Sequence, residues 1–174
     1  MTEGTMAQLI VSFIGEDRPG LVQALSDIVA GHGGNWEESR MVHLGGHFSG
    51  CARVDIDAPR ADALQAALAE TEDLTVTVRP ALAAVPAEGM LEMKLDIVGP
   101  DRKGILRDVT TELGERQINV QEMNTSVGPA SMSGSPTFSA TASVMVPSSL
   151  DLAELDSRLS GIAENLGVDI LLES

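Results

Sequence analysis

The 174-residue chain is long enough for one medium domain or for two small ones, each with its own hydrophobic core. Its 43% hydrophobic and 21% charged residues are typical of a globular protein, and no apolar run is long enough to cross a bilayer. Eleven Lys and Arg against 26 Asp and Glu give a net charge of −15, and such a surface repels the phosphate backbone of nucleic acids. We therefore expect neither direct DNA binding nor membrane insertion.

The cysteine count and the N-terminal segment predict the compartment. A single cysteine, Cys51, excludes an internal disulfide and favours a reducing environment. The first residues, "MTEGTMAQ", lack the basic patch and the apolar segment of a secretory signal. These features indicate a cytoplasmic protein.

One short segment occurs twice in the chain. The sequence "IGEDRPGLVQAL" at 14–25 returns as "VGPDRKGILRDV" at 98–109, which is 84 positions later. The residues that recur in register are Gly15, Asp17, Arg18, Gly20 and Asn35, which return as Gly99, Asp101, Arg102, Gly104 and Asn119. So many matches at one spacing, between an apolar run and a helical pattern, indicate an internal duplication.

The duplication continues through both halves of the chain. The segment "FSGCARVDI" at 48–56 matches "FSATASVMV" at 138–146 with an offset of 90, so six extra residues are expected in the loop "GPASMSGSP" at 128–136. The sequence thus predicts two equivalent domains, at 6–80 and 90–174, joined by a short linker at 81–89.

Each half begins with a strand and a helix. The segment "QLIVSFI" and its copy alternate as strands with one apolar face, formed by Leu9, Val11, Phe13, Met93, Leu95 and Ile97. The helices that follow have apolar residues at helical spacing, which are Leu21, Val22, Leu25, Ile28, Val29, Ile105, Leu106, Val109 and Leu113. Glycines in "HGGN" at 32–35 end the first helix.

A hairpin, a second helix and a last strand complete each half. In the first half we expect strands on both sides of a two-residue turn at Gly45-Gly46, then a helix that Pro59 opens and the strand "LTVTV" at 74–78. The apolar positions of the last helices are Leu64 and Leu68, then Leu152, Leu155, Leu159 and Ile162. The order βαββαβ, found twice, predicts an α+β ferredoxin-like fold, in which a four-stranded antiparallel sheet carries both helices on one face.

A strand that ends in Gly-x-Asp-Arg-x-Gly, an apolar helix and an Asn that opens the next strand resemble the ACT domain in both halves. Two such units with nothing else attached resemble the glycine cleavage system transcriptional repressor family. The resemblance implies that the protein senses a small amino acid, with glycine suggested by the family, and controls a DNA-binding activator through protein contact. In the first half Pro19 fits the motif, whereas Lys103 replaces it in the second half.

The resemblance also implies that units associate. ACT pairs typically hold a ligand where the turn of one unit faces the second strand of another. That geometry would involve Asn35–Glu38 and Asn119–Glu122, and a homodimer is one way to form such a pair.

The residues of the turn suit a free amino acid, whose carboxylate and ammonium lie close together. The first turn of a helix offers unpaired N–H groups to the carboxylate, and Gly20 would let it approach the backbone. Asp17 would take the ammonium, Asn35 can donate and accept hydrogen bonds, and Arg18 can bind a carboxylate or pair with a nearby acid. The predicted ligand-binding residues are Gly15, Asp17, Arg18, Pro19, Gly20, Asn35, Gly99, Asp101, Arg102, Gly104 and Asn119.

The same residues have a structural interpretation without any ligand. Asp17 is a good helix N-cap, Gly20 would relieve crowding, and Asn35 would hold the turn after the helix. A duplicated chain repeats a structural junction as readily as a binding site. Recurrence therefore does not separate the two interpretations.

Phosphate and metal sites have little support. The segment "GEDRPG" lacks the Lys-Ser/Thr of a P-loop and the Gly-x-Gly-x-x-Gly of a dinucleotide fold, and Asp17 would repel a phosphate. A turn at Gly45-Gly46 places His43 and His47 on opposite faces of the hairpin, so they could not bind one ion. We predict no metal and no cofactor.

Catalysis has equally little support, since no nucleophile, acid pair or metal cluster stands at a suitable spacing and Cys51 has no catalytic partner. Trp36 is interpreted as a partly buried packing residue that would still report optically on the turn. The preferred hypothesis is a non-catalytic regulator that senses an amino acid and acts on a protein partner. The alternatives are a ligand-free interaction or assembly domain, and a stand-alone regulatory module for an enzyme of amino-acid or one-carbon metabolism.

Overall fold

The computed structural model describes residues 5–83, 88–129 and 134–173. The chain divides into two units, Met1–Ala84 and Val85–Ser174. No helix in the described ranges is both long and apolar enough to span a membrane.

Alternating apolar residues in the first unit produce a four-stranded antiparallel sheet in the order β2-β3-β1-β4. A short 3₁₀ turn, Ala58–Arg60, precedes the second helix and contains Pro59. The elements in chain order are β1 (Met6–Glu16), α1 (Leu21–Gly31), β2 (Asn35–Leu44), β3 (His47–Asp57), α2 (Ala61–Ala69) and β4 (Leu74–Pro80).

The second unit repeats this topology, with strands in the order β6-β7-β5-β8. Its elements are β5 (Met90–Pro100), α3 (Ile105–Glu115), β6 (Asn119–Pro129), β7 (Pro136–Pro147), α4 (Leu152–Leu166) and β8 (Asp169–Glu173). Even the irregularities recur, because the strand register shifts between Trp36 and Glu38 in one unit and between Val120 and Glu122 in the other. The predicted ferredoxin-like fold is confirmed in both halves.

Each core lies between one face of the sheet and the two helices. The predicted inward faces of β1 and β5 are buried, as are Leu64 and Leu68 of α2. The prediction is wrong at the first position of α4, where Leu152 is 38% exposed, and at the second position of the first helices, where Val22 is 40% and Leu106 39% exposed. Residues spaced four apart face the sheet instead, and they are Leu21, Leu25, Val29, Ile105, Val109 and Leu113.

The two hairpins differ as the sequence predicts. In the first, Leu44 pairs with His47 across a two-residue turn formed by Gly45 and Gly46, both with positive φ. In the second, Gly128 pairs with Thr137 and one more pair extends the ladder, so the extra residues lie at the hairpin end. Positions 130–133 of this loop, and 84–87 of the predicted linker, lie outside the described residues.

One position gives a direct test of backbone strain. Gln117 has a φ of 58°, in the left-handed region, where the first unit has Gly33 with a φ of 78°. Left-handed backbone costs an L-residue about 1–2 kcal/mol, whereas glycine adopts it freely. Gln117→Gly should therefore raise the free energy of unfolding by about 0.5–1 kcal/mol in urea denaturation followed by circular dichroism. Gly33→Ala should lower it, both through the same strain and because the new Cβ would overlap the Arg60 guanidinium. A Gln117→Gly protein no more stable than the unsubstituted protein would contradict the strain argument.

Candidate functional site

The first helix of each unit begins at a glycine in the left-handed region. Gly20 is the N-cap of α1 with a φ of 93°, and Gly104 is the N-cap of α3 with a φ of 100°. Neither helix receives a side-chain cap. The interpretation of Asp17 as an N-cap is therefore wrong. Crowding does not explain Gly20 either, because a Cβ there would have no atom within 4 Å; the positive φ explains it.

A glycine cap leaves the first amides of the helix without acceptors. The Gly20 carbonyl accepts from the Ala24 N–H at 2.9 Å, but the N–H groups of the three residues before Ala24 have no acceptor among the described residues. The residues that carry these amides line an open cavity of about 390 Å³. Its lining residues are Asp17, Arg18, Gly20, Leu21, Val22, Gln23 and Phe48. The cavity thus combines an anion-attracting helix end with a carboxylate.

The turn is fastened to the hairpin of its own unit by its aspartate. The Asp17 N–H donates to the Gly46 carbonyl at 3.0 Å, and the Asp101 N–H donates to the Pro136 carbonyl at 3.0 Å. The Asp17 carboxylate is 43% exposed and lies 3.8 Å from His43 Nε2. Because its backbone is held while its side chain stays accessible, this carboxylate is available to a cationic group.

The two arginines of the motif have different surroundings. Arg18 forms an ion pair with Asp73, with 2.8 Å between Nη2 and Oδ2. Arg102 forms no ion pair with any residue that the structure describes, and its guanidinium lies beside Gly167. Arg18 therefore pairs with a nearby acid, which was one of its two predicted roles.

Gly15 and Gly99 have a packing role beneath the turn. A Cβ on Gly15 would overlap the Asp73 carbonyl oxygen, and one on Gly99 would lie 2.7 Å from the Cα of Val168. Each glycine thus lets the backbone at the beginning of the last strand lie close against the end of the first strand. Pro19 and Lys103 are exposed in the turn itself.

Asn35 lies far from the turn of its own unit. It pairs with Asp55, which pairs with Gln8 at the beginning of β1, whereas the turn follows the end of β1. The strand from Gln8 to Gly15 spans about 23 Å at about 3.3 Å per residue. Asn35 and Asp17 of one unit therefore cannot contact the same small ligand, and Asn35 stays a predicted contact only for a turn other than its own.

The surroundings of Asn35 and Trp36 bear on two further predictions. The Asn35 side chain donates to the Glu37 carboxylate instead of holding a turn. Trp36 packs against the core of the first unit, as expected, but at the end of the sheet away from Asp17. It is therefore not a reporter of its own turn. Asn119 occupies the corresponding position, since it pairs with Met145 opposite Glu92 near the beginning of β5.

His43 lies near Asp17, but the two hairpin histidines do not face each other. His43 pairs with Phe48, and Leu44 with His47, which places the histidines on opposite faces. The described residues contain no group of three His, Cys, Asp or Glu side chains that could hold a metal ion. Cys51 is exposed on the sheet face away from the helices.

Lys94 and Asp96 lie on the exposed face of the second sheet. A hydrogen bond of 2.6 Å from Lys94 Nζ to Asp96 Oδ2 raises the pKa of Lys94. The same bond, with a second one to Thr141, lowers the pKa of Asp96. The first unit has Ile10 and Ser12 at the matching positions, so this pair is not part of the duplicated feature.

Family models place these two units in one class of protein. A model described as an ACT domain matches residues 7–79, and a second ACT-domain model matches residues 87–166. The chain therefore belongs to the ACT-domain family, with two ACT domains in tandem. ACT domains are of a regulatory, ligand-binding kind, and the predicted family is confirmed.

Two solved structures extend over nearly the whole chain. An unknown protein from Galdieria sulphuraria is 32% identical with a TM-score of 0.87, and the match covers 97% of this chain and 98% of that one. A candidate glycine cleavage system transcriptional repressor is 20% identical with a TM-score of 0.67, and the match covers 97% and 96%. The second likeness shows a shared tandem fold. A comparison with curated proteins finds no match.

The glycine caps can be tested by adding one methyl group. Gly20→Ala and Gly104→Ala should each lower the free energy of unfolding by about 1–2 kcal/mol, because alanine is strained in the left-handed region. Gly31→Ala and Gly114→Ala are matched controls, since both glycines are helical, have no positive φ and have open space around them. The controls should leave stability unchanged or raise it by up to about 1 kcal/mol in urea denaturation. A Gly20→Ala protein as stable as the Gly31→Ala protein would contradict the assignment of the cap.

Proposed function

We propose that this protein is a non-catalytic regulator that senses a small amino acid and controls transcription through a protein partner. The observation that supports it is a turn that occurs twice with a left-handed glycine and an uncapped helix, and whose first copy brings the start of the helix and the accessible Asp17 carboxylate to one cavity. A structural junction needs the glycine, but it does not need the carboxylate, which caps nothing.

The proposed binding mode follows from the two charges of the ligand. The carboxylate of the amino acid accepts hydrogen bonds from the amides at the beginning of α1, where the helix dipole also favours a negative charge. The ammonium then meets Asp17, and Val22 and Phe48 leave space for a small side chain at the cavity wall. A phosphate would accept hydrogen bonds from the amides, but Asp17 would repel it. The site therefore favours a zwitterion.

The proposed site consists of the turn, from Asp17 to Gly20, and its copy, from Asp101 to Gly104. Gly15 and Gly99 support the turn from below. Asn35 and Asn119 remain in the proposal only as groups that would meet a ligand held by a turn other than their own. Glycine is the first amino acid to test, because of the family resemblance.

The charge of the chain supports action through a protein partner. A net charge of −15 opposes the approach of a phosphate backbone, so we propose that any effect on transcription passes through a DNA-binding protein. The likeness to a candidate glycine cleavage system transcriptional repressor agrees with this role.

A ligand-free assembly domain is the second candidate. Strands β2 and β4 are the edges of the first sheet, and β6 and β8 are those of the second. Exposed edges can pair with the edges of another copy or of a partner enzyme. This function would use the fold without using the turn, which makes the two candidates separable.

A thermal-shift screen of the twenty amino acids tests the sensing function. A ligand at about 100 times its Kd adds about 2.7 kcal/mol of stability, which should raise Tm by about 5 °C or more. Asp17→Ala with Asp101→Ala should weaken binding by about tenfold or more, because each substitution removes a charge-assisted hydrogen bond. Binding would be measured by calorimetry and Tm by differential scanning.

Asp27→Ala is the matched control, since Asp27 is an exposed carboxylate of α1 with no ion pair among the described residues. It should change neither Tm nor binding. No shift with any amino acid would rule out the sensing function and favour the assembly domain. Loss of Tm in the Asp17→Ala protein, without loss of affinity, would assign the aspartate a structural role.

A further inference from the structure

The two turns are not chemically equivalent, although the motif is the same. The difference lies in the residue just before the last strand of each sheet. The register of β1 with β4 and of β5 with β8 makes Asp73 and Gly167 equivalent positions. Both have left-handed backbone, with φ of 66° and 65°.

Asp73 holds the guanidinium of the first turn, as the 2.8 Å ion pair with Arg18 shows. It does so at a position where glycine is the unstrained residue, and the second unit has that glycine. A Cβ on Gly167 would lie 3.5 Å from both terminal nitrogens of Arg102. An acid at position 167 would therefore reach Arg102 as Asp73 reaches Arg18, and Gly167 leaves Arg102 open.

The sequence around each turn increases the difference. Positions 16–24 with Asp73 carry three carboxylates and one guanidinium, a formal charge of −2. The equivalent positions 100–108 with Gly167 carry two carboxylates and three cationic groups, a formal charge of +1. Relative to the first turn, the second gains Lys103, Arg107 and Asp108 and lacks the carboxylates of positions 16 and 73. Arg107 pairs with Asp108 at 2.7 Å, so Arg102 and Lys103 are the cations of this turn without an ion pair among the described residues. An incoming carboxylate is repelled less at the second turn.

We propose that Asp73 is a specificity-determining residue, which competes with the ligand carboxylate for Arg18 and makes the second turn the tighter amino-acid site. The inference rests on the proposed function, because it needs an amino acid at the turns. The two domains then respond at different concentrations of the amino acid.

The size of the effect follows from the exposure of the pair. The Arg18 and Asp73 side chains are 54% and 62% exposed, so solvent screens much of their attraction. An exposed ion pair changes an equilibrium by about 1.5- to 5-fold. We expect removal of Asp73 to strengthen binding at the first turn by this factor.

Site-resolved NMR of the full chain tests the proposal, and 18.2 kDa is a suitable size. Glycine is the probe, and the ¹H–¹⁵N peaks of Gly20 and Gly104 report on the two turns separately. In the unsubstituted protein the Gly104 peak should reach half of its shift at a lower glycine concentration than the Gly20 peak. Asp73→Gly should lower the Gly20 midpoint by about 1.5- to 5-fold and leave the Gly104 midpoint unchanged. Gly167→Asp should raise the Gly104 midpoint alone.

Asparagine variants separate charge from backbone strain. Asn tolerates left-handed backbone and carries no charge, so Asp73→Asn should act like Asp73→Gly, and Gly167→Asn should leave the Gly104 midpoint where it is. An unchanged Gly20 midpoint in both Asp73 variants would overturn the proposal, as would equal midpoints in the unsubstituted protein. Either result would leave amino-acid sensing intact, whereas no peak shift with glycine or any other amino acid would overturn both.

Discussion

The left-handed glycine at the beginning of each first helix decides what the turn can do. A helix needs something to satisfy its first amides, and α4 shows the usual solution, in which Asp151 accepts from Ala153 and Glu154. Gly20 has a positive φ and no side chain that could accept a hydrogen bond, and no other side chain caps the helix. The amides consequently remain unpaired at a cavity, which is unfavourable for folding alone and useful for binding an anion.

Most of the fold could be predicted because the chain contains it twice. The fixed spacing between the copies of the motif identifies equivalent positions, and the alternation of apolar residues then identifies the strands. The Gly45-Gly46 turn sets the hairpin register, since a two-residue turn allows few alternatives. Val22, Leu106 and Leu152 were exceptions, because their spacing alone does not tell which side of the helix the sheet occupies.

The site was harder to predict than the fold. Asp17 has the chemistry of a cap, and only the structure shows that the N-cap is Gly20, three residues beyond it. Asn35 follows α1, and that helix runs back along β1, so the residue after it returns to the end where β1 began. The local sequence around Asp73 does not predict its ion pair with Arg18. The two residues meet because β4 begins beside Gly15 in the sheet. Long-range pairing, and not local pattern, determines the positions of Asn35 and Asp73.

The hydrogen bond between turn and hairpin has a mechanical consequence. Asp17 is tied to Gly46 and Asp101 to Pro136, so a movement of either turn pulls on the connection between two strands at the sheet edge. In the first domain that connection bears Leu44, whose side chain is 75% exposed, and in the second it is six residues longer. Each turn is therefore coupled by one backbone hydrogen bond to the hairpin of its own sheet, and the connection that receives this bond differs in length between the two domains.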